Sequence, residues 1–167
     1  MKKIICILML VLSLGLAACG KDDSGKELKT VDMSLLCDAM LAADSTLPEM
    51  ITVSDSNEDG ASLFQYITES FDYSKVEHYF LSYSAEGKAD EIVVIAVKDT
   101  ADIDEAVEAL NAHKKHRISM FEQYDPDNVT RVQNGIIFKN SQYAVLIITD
   151  NAEDVKAAFE KEITKQN

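Results

Sequence analysis

The segment Asp55 to Gly60 carries oxygen-bearing side chains at alternate positions, in the pattern D-x-N-x-D-G that begins many calcium-binding loops. Asp55, Asn57 and Asp59 would supply the first ligands, and Gly60 would allow the sharp turn around a hard cation. The position of the closing bidentate glutamate, however, is occupied by Tyr66. Calcium is therefore the one cofactor that the sequence suggests, and a solvated acidic turn is the competing interpretation.

A second group of chemistry-bearing residues, His113-Lys114-Lys115-His116-Arg117, lies where apolar residues recur at helical spacing. His113 and His116 share a side of that helix, as a zinc pair would, but no third ligand is evident. Lys114 and Arg117 fall within the apolar stripe, where a cation must be paired, extend to solvent or line a cleft. Two interpretations stay open: ion pairs with acidic residues of the sheet, or contact with an anion or a partner.

Catalytic signatures are absent from the sequence, which contains no G-x-S-x-G, H-E-x-x-H, P-loop or G-x-G-x-x-G motif. Cys37 follows Leu35-Leu36 and has no histidine or cation beside it in sequence. A buried, inert thiol is the expected state of such a cysteine. The sequence therefore favours a protein that is not an enzyme, with a hydrolytic enzyme as the weaker alternative.

The first eighteen residues have the order of a lipoprotein signal peptide. Positive charge at Met1-Lys2-Lys3 is followed by the apolar run Ile4 to Leu14, which is shorter than the roughly 20 residues of a membrane-spanning helix. Leu16-Ala17-Ala18-Cys19 then resembles the lipobox of bacterial prolipoproteins. The resemblance implies cleavage after Ala18 and diacylglycerol on Cys19, so that acyl chains such as palmitate hold the mature protein to the membrane.

Composition and charge predict the domain organisation and the class of partner for the remainder of the chain. Residues 19–30 are polar and predict a flexible tether, and residues 31–167 predict a single globular domain. The 16 basic and 29 acidic residues give a formal charge of −13, which excludes nucleic acid as a partner and favours a cationic protein or peptide. The expected protein is a lipid-anchored binding module on the extracytoplasmic face of the cell membrane. A calcium-stabilised surface domain is the alternative.

Hydrophobic periodicity predicts the elements that must position these groups. Two strand pairs alternate with helices, and this order favours an α+β fold: an antiparallel sheet of about four strands from two hairpins, with a long central helix and terminal helices packed against it. The predicted helices are 31–43, 61–68, 102–124, 127–134 and a C-terminal helix after residue 150, and the predicted strands are 76–84, 92–97, 136–139 and 143–149. The run Ile92 to Val97 is apolar throughout, as in a central strand covered on both faces.

A family resemblance runs through five short segments of the chain. They are Tyr73-Ser74-Lys75-Val76-Glu77, Asp90-Glu91-Ile92-Val93-Val94-Ile95 with Lys98-Asp99, Phe121-Glu122-Gln123-Tyr124-Asp125-Pro126, Asn134-Gly135-Ile136-Ile137 and Tyr143-Ala144-Val145-Leu146-Ile147. Together with the lipobox they resemble Firmicutes lipoproteins that carry the domain of unknown function 4358, over residues 31 to 163. The resemblance implies a Gram-positive source and an extracytoplasmic, lipid-anchored domain. It implies no activity, substrate or site residue.

Overall fold

A computed structural model of the chain describes residues 31–166, apart from the side chain of Tyr124. Its strands form one antiparallel sheet in the order β1-β2-β3-β5-β4. The strands are β1 (Met50–Ser54), β2 (Val76–Ser84), β3 (Glu91–Val97), β4 (Ile136–Asn140) and β5 (Tyr143–Ile148). The predicted α+β class is confirmed, with five strands in the sheet where about four were expected.

Helices cover both faces of this sheet. They are α1 (Met33–Ala42), α2 (Gly60–Leu63), α3 (Ile103–Tyr124), α4 (Val129–Asn134) and α5 (Ala152–Gln166). One face packs against α1 and α5, and the other packs against α2, α3 and α4. The long central helix and the terminal helices are thus where the sequence predicted them. Within residues 31–166, no helix combines the length and the apolar character needed to cross a bilayer.

Strand β3 joins the two cores. All seven of its residues are buried. Val93 and Ile95 contribute to the core beneath α3, whereas Ile92 and Val94 contribute to the core beneath α1 and α5. Because successive strand residues point to opposite faces, an unbroken apolar run is what a strand covered on both sides requires. The prediction for this segment is confirmed.

The additional strand is β1, in a segment where the sequence pattern predicts no element. Within residues 31–166 it is short, lies at the sheet edge and has β2 as its one neighbour, in a register that sets Thr52 opposite Ser82 and Val53 opposite Leu81. None of its five residues is fully buried. Half-exposed positions with polar Thr52 and Ser54 hide the apolar alternation by which strands are recognised. The edge strand of the sheet is therefore the strand that hydrophobic periodicity predicts least well.

A bulge in β2 changes which residues of that strand share a face. Simple alternation would place Val76 on the same face as His78 and Phe80. The register with β3 instead shifts between Val76 and His78. Val76 therefore joins Tyr79 in the core beneath α3, while Phe80 belongs to the opposite core.

Candidate functional site

The first carboxylate of the acidic turn is bound within the protein. The Tyr79 N–H donates to Asp55 Oδ1 at 2.9 Å, and His78 Nδ1 lies 2.8 Å from Asp55 Oδ2. Both partners belong to β2, so Asp55 fastens the turn to the neighbouring strand. Each of its oxygens already has a partner at the position where a calcium ligand was predicted.

Asn57 and Gly60 also keep the turn closed, whereas Asp59 does not. Asn57 Oδ1 accepts a hydrogen bond from the Ser54 N–H at 2.7 Å, and the Asp59 side chain makes no capping bond at the start of α2. A Cβ on Gly60 would lie 2.8 Å from the Ser54 carbonyl oxygen, so only glycine fits there without a shift. Within the described part of the chain, no group of three metal-ligating side chains is brought together. Calcium binding by this turn stays a prediction.

Helix α3 brings two basic side chains onto the carboxylate of Glu91, the first residue of β3. His113 Nε2 lies 2.6 Å from Glu91 Oε1, and Arg117 Nε lies 3.2 Å from Glu91 Oε2. Arg117 also donates to the Ala89 carbonyl at 3.3 Å and lies 4.9 Å from the centroid of the Phe121 ring. Glu91 is 3% exposed, and a carboxylate so buried requires such partners. Arg117 is therefore paired with an acid of the sheet.

Lys114 has a different environment from Arg117. Its Nζ donates to the Gln133 carbonyl at 2.9 Å and also to the Gly135 carbonyl. These carbonyls lie at the C-terminal end of α4, where a cation is favourable. Burial lowers the pKa of Lys114 from its ordinary value. The structure thus separates the two cations that the sequence had grouped: Lys114 binds the end of α4, and Arg117 lies near the sheet.

An open cleft of about 470 Å³, named here the α3 cleft, lies above Glu91. It runs between α3, the edge of the sheet and the turn that follows α2. Tyr66 stands at its rim with 72% of its surface exposed. The lining residues are Val53, Leu63, Leu81 and Met120, the tyrosines Tyr66 and Tyr83, and the polar Glu91, His113, His116 and Arg117. The cleft thus has apolar walls and a polar floor, and Glu91, the one carboxylate among its described lining residues, is already paired.

A second open cleft of about 530 Å³, the α1 cleft, lies on the opposite face of the sheet. Asp32, Asp38 and Asp55 line it together with apolar residues of α1 and β2. Cys37 lies at its base, 3.4 Å from Ser82 Oγ. Burial raises the pKa of the Cys37 thiol, which disfavours the thiolate. The cleft is acidic, and the expectation that Cys37 is buried is confirmed.

Sequence reasoning missed the contact between Glu91 and His113. The signal was present, because His113 and Arg117 are four residues apart and so lie on one side of α3. A polar residue directly before the apolar run of β3 was the complementary signal. What the sequence lacked was the register that sets the start of β3 beneath the C-terminal half of α3.

Comparison with known proteins agrees with the domain family suggested by the sequence. The model of the family described as "Domain of unknown function (DUF4358)" matches residues 70–149. This range holds β2 to β5 with α3 and α4, whereas α1, β1, α2 and α5 lie outside it. No curated protein and no solved structure matches the chain. The predicted signal peptide (residues 1–18), Cys19 and the tether (residues 19–30) lie outside the described residues and outside the matched range.

Proposed function

We propose that this chain is a lipid-anchored binding module on the extracytoplasmic face of the cell membrane, which binds a cationic protein or peptide and is not an enzyme. The observation that carries the proposal is the pair of open clefts that meet along β1, one on each face of the sheet. The α1 cleft is lined by three aspartates, and the whole chain has a formal charge of −13. Such a surface attracts cations and repels polyanions.

The occupancy of the polar groups supports binding over catalysis. A hydrolase needs a nucleophile, a base and an orienting group that converge on free space. In the α3 cleft the Glu91 carboxylate is taken by His113 and Arg117. In the α1 cleft the Cys37 thiol bonds to hydroxyl groups, and its pKa is raised by burial. Both clefts are open to a ligand, but Glu91 and Cys37 are already bonded to other groups of the protein and are not available as a base or a nucleophile.

The anchor is tested by expressing the full chain in a Gram-positive host. We expect the protein in the membrane fraction with a mass increase on Cys19 equal to a diacylglycerol group. The Cys19→Ala variant should leave the membrane fraction, because it has no thiol to carry the acyl chains that would anchor the protein. A native protein with an unmodified Cys19 would refute the anchored part of the proposal.

Cation binding is tested with fluorescein-labelled oligolysine and oligoglutamate, measured by fluorescence anisotropy against the detergent-purified full chain. We expect saturable binding of oligolysine only, weakened at about 0.5 M NaCl by screening. Asp38→Asn should weaken it, whereas Glu160→Gln, an equal charge change at an exposed position of α5, should not. Equal effects of the two variants would mean that net charge alone binds the peptide.

The effect of calcium on the melting temperature distinguishes the calcium-stabilised domain from the peptide-binding module. If the turn holding Asp55, Asn57 and Asp59 were a calcium site, about 2 mM CaCl2 would raise the melting temperature and a chelator would lower it. We expect no shift, because the Asp55 and Asn57 side-chain oxygens already accept hydrogen bonds from the protein. A calcium-dependent rise that is lost in Asp59→Asn would favour the calcium-stabilised domain.

A further inference from the structure

Hydrogen bonds at the two ends of β1 fix which of its residues face β2. The Asp55 N–H donates to the Tyr79 carbonyl at 3.4 Å, and the Ala85 N–H donates to the Glu49 carbonyl at 2.8 Å. Antiparallel partners alternate between bonded and non-bonded pairs, so the odd-numbered residues of β1 bond to β2. The residues whose backbone N–H and C=O point away from the sheet are Met50, Thr52 and Ser54.

One of these three residues is already satisfied. The Ser54 N–H donates to Asn57 Oδ1, and the Ser54 carbonyl accepts from the Asn57 N–H at 3.1 Å. Met50 and Thr52 have no corresponding partner for their outward backbone groups among residues 31–166. The edge of β1 therefore offers two donors and two acceptors in the spacing of a strand.

This edge lacks the charged protection that sheet edges commonly have. Lysine at or near an edge strand discourages pairing with another chain. At the other edge, Lys139 of β4 pairs with Asp104, and the Lys156 Nζ lies 5.3 Å from the centroid of the Phe138 ring. The β1 sequence MITVS has no charge and no proline, and Ile51 is 42% exposed. The features of the described chain that protect β1 are its short length and the bonds of Asn57 to Ser54, and neither covers Met50 or Thr52.

The two clefts open on opposite faces of this same edge. Thr52 and Ser54 line the α1 cleft, and Val53 lines the α3 cleft. A strand added beside β1 would direct alternate side chains toward the two faces in the same way. One set of side chains would meet the acidic α1 cleft and the other set the apolar walls of the α3 cleft. The surface therefore fits a segment in which basic residues alternate with apolar ones.

We infer that β1 is a docking strand, to which a partner protein adds an extended segment of alternating basic and apolar residues as a sixth strand. This inference rests on the proposed function and specifies the shape of its cationic ligand. Backbone bonds to Met50 and Thr52 supply affinity, and the two clefts select the side chains on each face.

The first test uses a blocked, labelled seven-residue peptide in which lysine alternates with valine. Its control has the same composition with the lysines in one block. Anisotropy with the full chain should show the alternating peptide binding at least about tenfold more tightly, because only it matches the two faces. N-methylation of one alternate set of its amides should abolish binding and methylation of the other set should not, since only one set faces β1.

The second test changes β1. Thr52→Pro removes one outward donor, a change that edge strands tolerate, whereas Thr52→Val keeps the donor and removes the hydroxyl. We expect Thr52→Pro to weaken binding by at least about tenfold and Thr52→Val by less than about threefold. If Thr52→Pro does not fold, the two methylated peptides decide the question.

The outcomes separate this inference from the proposed function. Docking on β1 is overturned if the alternating peptide and the control with its lysines in one block bind equally, and if neither methylation changes binding. Cation binding would still stand. If no basic peptide binds the chain, either with residues 19–30 present or after their removal by proteolysis, both fail. If the chain's own residues 19–30 occupy the edge, the peptides bind only after that segment is removed by proteolysis, and the assignment to a partner protein is overturned.

Discussion

At the scale of single residues, buried charges determine how α3 meets the sheet. Glu91 accepts contacts from His113 and Arg117, whose positions four residues apart bring both side chains to the same carboxylate. Lys114, the residue after His113, lies on the adjoining side of α3 and reaches the end of α4 instead. Neighbours in sequence thus stabilise different contacts, because successive helical residues point about 100° apart.

Removing the charge of Glu91 should destabilise the fold. In Glu91→Gln the Arg117 guanidinium would lose its counter-charge at a site where Glu91 is 3% exposed. We expect the free energy of unfolding in urea to fall by about 3 kcal/mol, since breaking a buried pair costs more than breaking an exposed one. Glu86→Gln, which breaks the exposed pair with Lys88, should change it by less than about 0.5 kcal/mol. Equal losses would contradict a structural role for Glu91.

The adjacent residues Lys114 and Lys115 allow a half-buried contact to be compared with an exposed control. Lys114→Met removes the donor to two carbonyls at the end of α4 and should lower the free energy of unfolding by about 1 kcal/mol. Lys115 is exposed, so Lys115→Met should have almost no effect. Urea titration followed by circular dichroism measures both variants. A larger loss in Lys115→Met would show that charge balance, and not the bond to α4, explains the result.

At the scale of elements, β1, the acidic turn and α2 form one unit attached to the edge of β2. Asp55 bonds to β2 by its side chain, and the Tyr79 hydroxyl donates to the Gly60 carbonyl at 2.6 Å. Burial raises the pKa of Tyr79, so the hydroxyl keeps its proton for this bond. The turn resembles a cation loop in sequence because oxygen-bearing side chains and glycine also suit a tight turn.

The close approach at Gly60 gives a test of this unit. In Gly60→Ala the new Cβ would lie 2.8 Å from the Ser54 carbonyl oxygen and 2.9 Å from the Asp55 Cα, so the backbone must shift. We expect a loss of about 2 kcal/mol in unfolding free energy, typical of overpacking. Ser62→Ala, at an exposed position of the same short helix, is the control and should be close to neutral. An unchanged melting temperature in Gly60→Ala would mean that the turn packs loosely.

At the scale of the whole molecule, a buried carboxylate ties the segment after α1 to the segment before α5. Asp44 is 3% exposed, and its Oδ1 accepts hydrogen bonds from Thr46 and, at 2.9 Å, from the Asn151 side chain. Burial alone would raise the pKa of Asp44, but the hydrogen bonds outweigh it and hold the pKa below the ordinary value. The folded protein therefore favours the charged form of this group.

The sign of this shift predicts the pH dependence of stability. A carboxyl group whose pKa is lower in the folded than in the unfolded state stabilises the protein at pH values above the unfolded pKa, which is about 3.9 for aspartate. This stabilisation is lost as the pH falls through the pKa of the folded state. Asp44→Asn should therefore be less stable than the parent by about 1–2 kcal/mol at pH 6, with the difference shrinking below about pH 4. Urea unfolding across this range measures it, with Asp38→Asn, at an exposed position of α1, as the control. A difference that grows in acid would refute the assigned direction.

Local patterns predicted the parts of the fold that local interactions determine. The apolar run of β3 and the helical stripe of α3 were sufficient to predict both elements. Strand β1 was missed because its pairing with β2 is a long-range contact across half-exposed residues. Simple alternation would give Val76 the wrong face, because a bulge shifts the register between Val76 and His78. For the candidate site, the sequence indicated that Arg117 needs a partner, but only strand register identifies Glu91.

The two ends of the described fold lie side by side. The Asp32 N–H donates to Gln166 Oε1 at 2.6 Å, although 134 residues separate them in the chain. A circularly permuted protein, with this junction bridged by a short glycine linker and new termini opened between Ser141 and Gln142, would interrupt no residue of the paired strands, which meet at Asn140 and Tyr143. Such a permutant would carry any fused reporter at a hairpin tip, away from the helical junction where the native chain enters and leaves the fold.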